Sequence, residues 1–251
     1  KIANGDYVIF LDSDDYYNNT QFLQDIHDQL FFKNADVLFF RRIYFIDGNN
    51  NSFNRQTPYD KSMITISNKG KLIKKMSAAG VLDASAAMKV IKREILITNN
   101  LYFKSGIVSE DVEWFMRLVP SLCTILVSNS IAYCYRVRLN SISHSISYKN
   151  INDLFSTIES YAGELCMLSD RETGIGLLNY LAYQYSIVLG YTSKYLIGVE
   201  KQNMLDRCAN YKWIMKYALN KKTKVCKLLI FIFGLKFTSY ILGKYLASIN
   251  R

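Results

Sequence analysis

The chain has 251 residues, 50% of them apolar and 21% charged, which excludes a disordered protein and is enough for one sizeable core and a small second unit. The net charge of +10 sits in residues 201–251, where 11 Lys and Arg face the single acid Asp206; residues 1–200 carry 20 of each sign. A basic tail of this kind marks an anionic surface, phospholipid or nucleic acid, as partner. No run reaches the roughly 18 uninterrupted apolar residues expected of a membrane-spanning helix. The opening Lys1-Ile2-Ala3-Asn4-Gly5 has no signal-peptide h-region. Cys123, Cys134, Cys166, Cys208 and Cys226 are odd in number and form no C-x-x-C pair. That argues against a disulfide framework or zinc site and for a reducing compartment.

Tyr7 to Leu11 are five consecutive apolar or aromatic residues, predicting a strand buried on both faces of a sheet. Asp12, Asp14 and Asp15 follow where that strand ends. Ligands of open α/β sheets bind beyond the carboxyl ends of strands. Hard carboxylate oxygens there suit Mg²⁺ or Mn²⁺, and through it a substrate's phosphates. A solvated acidic turn capping the next helix is the competing reading. An EF-hand fits poorly: counted from Asp12, its Gly and Glu positions hold Tyr17 and Leu23.

Asn18-Asn19-Thr20 reads as the cap of a helix to about Lys33, with Phe22, Leu23, Ile26 and Leu30 at helical spacing. His27 on that helix reads as structural or surface. Asp36 to Phe45 predicts the next strand, and Arg41 and Arg42 within it either face a phosphate or form a solvated strand terminus. Asp47 to Ser52 is turn-rich, with a ragged connection expected from there to Tyr59. Ser67 to Gly70 introduces a helix to about Met76, broken at Ala78-Ala79-Gly80. Ser109 is placed to cap a helix starting at Glu110 or Asp111, whose carboxylates suit the helix dipole. Cys123 to Val127 and Ser130 to Val137 are expected as two closing strands. Beyond Ile151 the pattern is helical. Leu154, Ile158, Tyr161 and Leu165 form one stripe, Leu177 to Gly198 predicts a buried helix, and Met204 to Leu219 predicts a third. Val225 to Ile249 mixes apolar blocks with Lys227, Lys236 and Lys244, as an interfacial membrane helix or a packed terminal helix would.

Four segments share one resemblance. Gly5-Asp6-Tyr7-Val8-Ile9-Phe10-Leu11-Asp12-Ser13-Asp14-Asp15 resembles the G-D-Y-I-x-F-L-D-S-D-D segment of glycosyltransferase family 2, nucleotide-sugar enzymes of GT-A fold. The family's D-x-D falls on Asp12-Ser13-Asp14, with Asp15 as the extra carboxylate. Residues 84–104 resemble W-N-K-L-Y-K-R-E-x-L…N-x-L-x-F, matching at Lys89, Lys92, Arg93, Glu94 and Phe103, while Ala87-Met88 replace the Trp-Asn pair. Glu110 to Phe115 resembles E-D-x-x-F. Tyr133 to Ser143 resembles the closing Y-x-Y-R-x-x-x-x-S-I-S.

The resemblance implies an α/β fold: a GT-A-like (Rossmann-like) mixed sheet flanked by helices over residues 1–148, its N-terminal part missing from what reads as a fragment. A helical appendage over 149–251 would follow. It implies inverting transfer from a nucleotide sugar to a saccharide or lipid-linked saccharide acceptor, in surface polysaccharide or lipopolysaccharide synthesis. The expected site is at the inner face of the plasma membrane, with an anionic membrane surface as partner and no nucleic acid. Asp14, with Asp12 or Asp15, would hold Mg²⁺ or Mn²⁺, with His144 as a further metal candidate. Asp12, Arg136 and Arg138 would meet the donor diphosphate. Asp111 would be the general base, because a sugar hydroxyl is a poor nucleophile until a carboxylate takes its proton, and Glu110 would support the acceptor site. Lys89 and Trp114 would lie on the acceptor side, though Lys89 also reads as a surface strand lysine. Two other classes stand beside this one. A metal-dependent nucleotidyl- or phosphotransferase would use the acidic cluster but leaves the later motifs unexplained. A non-enzymatic binder of anionic surfaces or nucleic acid would act through the basic tail.

Overall fold

The computed structural model describes residues 2–17, 21–46, 52–54, 56–137 and 146–249. Its spine is β3 (Val37–Ile46), whose first four residues, Val37 to Phe40, are wholly buried between neighbours on both edges. β6 (Ile125–Val137) runs parallel to it, and β5 (Lys89–Lys92) antiparallel on the other side. The sheet order is β1-β5-β3-β6-β2, with β1 at Tyr7–Ile9, β2 at Tyr16–Tyr17, and β4 (Ser52–Phe53) pairing the second half of β3.

Two strand expectations are corrected. β1 is a strand of half-buried residues, not one buried on both faces, and among the described residues it lies at the sheet edge, paired with β5 from Tyr7↔Lys92 to Ile9↔Val90. The two closing strands are one. Its pairing with β3 skips from Phe39↔Val127 to Arg41↔Ile131, and the extra residues bulge rather than end the strand. At the bulge the Asn129 amide clamps the Tyr59 backbone, donating to its carbonyl (2.8 Å) and accepting from its N–H (2.9 Å).

Helix α1 (Phe22–Lys33) covers one sheet face with Phe22, Ile26 and Leu30, packed against Leu38, Phe40, Met88 and Tyr133. The expected cap at 18–20 lies outside the described residues. After α2 (Lys61–Thr65), α3 (Lys69–Ala79) starts at Asn68, whose side chain accepts from the Lys71 N–H. It stops at Gly80, whose φ of 73° favours glycine. α4 (Arg93–Thr98) and α5 (Glu110–Ser121) follow. The C-terminal region comprises α6 (Tyr148–Cys166), α7 (Arg171–Tyr195), α8 (Gly198–Tyr211), a 3₁₀ turn at Lys212–Tyr217 and α9 (Lys221–Ile249). One continuous core joins Trp114, Phe115 and Ile125 to Ile151, Leu181, Met204 and Ile230, so these helices pack on the sheet's second face. α3 and α7 approach so closely that a Cβ on Gly176 would meet the Lys74 amide nitrogen at 2.8 Å.

α9 lays one side on α7, where Ser239 donates to the Leu189 carbonyl (2.6 Å), and it breaks at Gly234 (φ 75°, ψ 173°). Its other side exposes Val225, Leu228, Phe231 (87% exposed), Phe233, Phe237, Tyr240 and Tyr245. By length and composition α9 is long and apolar enough to cross a membrane, the one such helix among the described residues. Lys227, Lys236 and Lys244 punctuate the segment, so no uninterrupted apolar run marks it in the sequence.

Candidate functional site

The turn after β1 is organised by β6. The Tyr133 hydroxyl donates to Asp12 Oδ2 (3.1 Å) and accepts from the Asp12 N–H (3.3 Å). The Arg136 N–H donates to Asp15 Oδ1 (2.8 Å), and Arg136 Nε donates to the Asp14 carbonyl (2.8 Å). Two expected donor-site groups, the acidic turn and Arg136, are therefore brought together although Asp15 and Arg136 lie 121 positions apart in the chain. Asp15 Oδ2 is buried without a hydrogen-bond partner. Burial pushes the Asp15 carboxyl above its ordinary range against the Arg136 amide and the nearby Tyr133 hydroxyl, and Asp14 and Asp12 add to the rise. Among the described residues no three Asp, Glu, His or Cys side chains converge as a metal cage. Mg²⁺ seldom uses such a cage, taking one or two carboxylates and completing its shell with water and phosphate. A buried, partnerless carboxylate oxygen amid two further acids fits that habit. Arg138 and His144 lie outside the described residues.

The second acidic segment opens α5. Ser109 does not cap it: no side-chain hydrogen bond forms, and its backbone is left-handed (φ 64°, ψ 37°). For a residue with a side chain that conformation is strained, and such strain gathers at functional sites. Asp111 is half-buried and accepts from the Ala86 N–H at 3.3 Å. Burial pushes its carboxyl up to about 6, against Lys89 and the Ala86 amide, while Glu110 and Asp83 reinforce the rise. A carboxylate so poised takes a proton near neutral pH, as a general base must. Glu110 beside it is exposed.

Lys89 is not a surface lysine. It is wholly buried, donating to the carbonyls of Asp83 (2.8 Å) and Ser85 (2.6 Å), with its ammonium over the rings of Phe39 and Phe115. Burial pushes that ammonium down to about 8, against Asp83 and Asp111. Lys89 thus fixes the 83–86 segment that supports Asp111 and does not reach an acceptor. Trp114 is likewise wholly buried, its Nε1 donating to the Leu101 carbonyl (2.9 Å), so it cannot meet an acceptor either. Instead it packs on Phe10 and Phe103. Phe10 lies two residues before Asp12 and Trp114 three after Asp111, so this contact holds the two acidic segments against each other.

Arg41 and Arg42 are not a solvated terminus. β3 continues past them, Arg41 is 8% exposed, and Arg42 pairs with Asp83 at 2.8 Å. Sequence reasoning passed over Asp83 and Tyr133. Asp83 carries no local signal, and Tyr133 was noted only within the closing motif.

Residues 1–98 match the family model described as Glycosyl transferase family 2. No curated protein matches. The fold is GT-A-like. A crystal structure of S. aureus TarS 1-349 in complex with UDP-GlcNAc superposes with a TM-score of 0.66 at 18% identity, covering 98% of this chain and 69% of that one. The same TarS fragment in complex with UDP gives 0.62 at 20% identity, over 98% and 68%. A longer TarS structure gives 0.60 at 17%, over 96% of this chain and 40% of that one. The likeness spans the C-terminal helices as well as the sheet.

Proposed function

We propose, from the match of residues 1–98 to the Glycosyl transferase family 2 model, that the chain serves inverting transfer of a sugar from a nucleotide-sugar donor to an acceptor hydroxyl. The observation that carries this reading is Asp111, a half-buried carboxyl held by the Ala86 N–H, pushed up to about 6 by burial and set beside a strained Ser109. Asp111 accepts the acceptor hydroxyl's proton as the oxygen attacks the anomeric carbon. A single displacement inverts that carbon and needs no enzyme nucleophile. Lys89 and the Ala86 amide hold the base in position, and Trp114 and Phe10 keep it beside the donor turn. Asp14, with Asp12 or Asp15, would hold Mg²⁺ or Mn²⁺, which when bound neutralises charge on the departing diphosphate. Arg136, tied to Asp14 and Asp15, lies where it can pair with the same phosphates. A nucleotide-sugar donor is supported by the TarS structures bound to UDP-GlcNAc and UDP. The test is metal-dependent release of nucleoside diphosphate from a panel of nucleotide sugars. No release with any donor and acceptor pool would overturn the reading.

The exposed face of α9 supports peripheral attachment to an anionic membrane. Its aromatic and aliphatic side chains point away from α7, and Lys221, Lys222, Lys224, Lys227, Lys236 and Lys244 lie along the same helix. Each basic residue near an anionic surface contributes about 1 kcal/mol. Such attachment would bring the enzyme to a lipid-linked acceptor at the inner membrane face, in surface polysaccharide synthesis.

A further inference from the structure

On the sheet's α7 side lies a cleft of about 770 Å³, bounded by the second half of β3, residues 56–59, the 80–84 loop, α7 and the start of α9. Among the described residues four cations line it, Arg41, Arg42, Lys221 and Lys222, and one acid, Asp83. Asp83 is already matched to Arg42. Arg41 is different. It is more than nine-tenths buried, its Nη2 donates to the Gln56 carbonyl (2.8 Å), and its Nε is buried with no partner. Among the described residues no carboxylate pairs with it. A buried charge lacking both a counter-charge and a full set of hydrogen bonds is costly to hold, so it persists where something else completes it. The positive end of α9, a 29-residue helix, opens into the same cleft at Lys221 and Lys222.

We propose that this cleft binds an anionic group of phosphate type, with Arg41 as its buried anchor and Lys222 at its rim. Phosphate oxygens are the natural partner of a guanidinium edge left unpaired. The site is separate from the acidic turn, which Arg136 rather than Arg41 contacts. The phosphate could belong to a phosphorylated saccharide or be free, and Tyr183, whose ring lies under the Lys222 ammonium at 5.8 Å, offers a sugar face a surface to stack on.

The experiment is titration of the protein with inorganic phosphate and, separately, with a hexose 6-phosphate, without metal, following melting temperature and calorimetric heat. Both probes should raise the melting temperature saturably. Tighter binding of the sugar phosphate identifies a saccharide-borne group, and equal binding identifies free phosphate. Arg41→Met, which keeps the volume and removes the charge, should melt no lower than the parent yet bind at least about tenfold more weakly, the scale of a lost charge-assisted pair. Lys222→Ala, at the exposed rim, should weaken binding a few-fold without touching the fold. Asp14→Ala should bind as the parent does, which separates this site from the donor site and leaves the outcome independent of the transferase reading. No saturable binding by either probe would overturn the proposal. So would parent-like affinity in Arg41→Met, or a marked melting loss in that variant with affinity retained.

Discussion

Replacing Asp111 by Asn separates catalysis from stability. The amide keeps the shape and the bond from Ala86 but cannot take a proton, so kcat should fall by about 10²-fold or more. Stability should move the other way. Holding a carboxyl at about 6 rather than its ordinary 3.8 costs the charged folded state at most ~3 kcal/mol at neutral pH. Its folded value is raised, so its stabilising protonation is complete below about pH 4 and lost as pH rises through about 6. The variant, permanently neutral, escapes that loss. It should melt several degrees higher at pH 7, since each kcal/mol moves the melting temperature of a chain this size by about 2–4 °C. The advantage should shrink as pH falls through 6 and vanish near 4. In the parent, kcat/KM should climb roughly tenfold per pH unit up to about 6 and then level off. The assay is kcat and melting temperature on one preparation across pH 4–8. Normal kcat with a lowered melting temperature would refute the base assignment and leave Asp111 a helix-terminal carboxylate.

Asp14→Ala should abolish metal-dependent nucleoside diphosphate binding, read by calorimetry with Mn²⁺; unchanged affinity would remove the metal assignment. Tyr133→Phe should raise the donor KM several-fold while costing only about 1 kcal/mol of stability, because it removes one hydroxyl that orders the Asp12 turn; an unchanged KM would show that the turn orders itself. Phe231→Glu with Phe237→Glu should abolish sedimentation with acidic liposomes at nearly unchanged melting temperature, since both rings face solvent. Removing α9 outright would be a poor substitute, because Cys226, Ile230 and Ser239 are buried and their loss would strip α7. Persistent liposome binding by the double variant would exclude this face as the attachment surface.

The sequence by itself determined what depends on neighbours along the chain. Val37 to Phe40 had to be a buried strand, Phe22 to Leu30 the apolar stripe of a helix, and Gly80 a helix stop, since apolar period and left-handed glycine are local properties. The three carboxylates at the end of a strand and the acidic pair opening a helix were legible in the same way, and the order of motifs led to the family resemblance. What only tertiary structure decided depends on residues far apart in sequence. Whether Tyr7 to Ile9 is central or edge depends on which strands flank it. Trp114 and Lys89 each suited a surface role until packing buried them. Asp111 acquires its proton affinity chiefly from burial beside the 83–86 segment, with Glu110 and Asp83 adding to it and Lys89 opposing it. Arg41 and Arg42 follow one another in the chain and line one cleft, yet differ in charge balance, because Asp83 pairs with Arg42 while Arg41 bonds to the Gln56 carbonyl. Burial and charge pairing are set by the distance between groups in space, and a linear sequence does not record that distance.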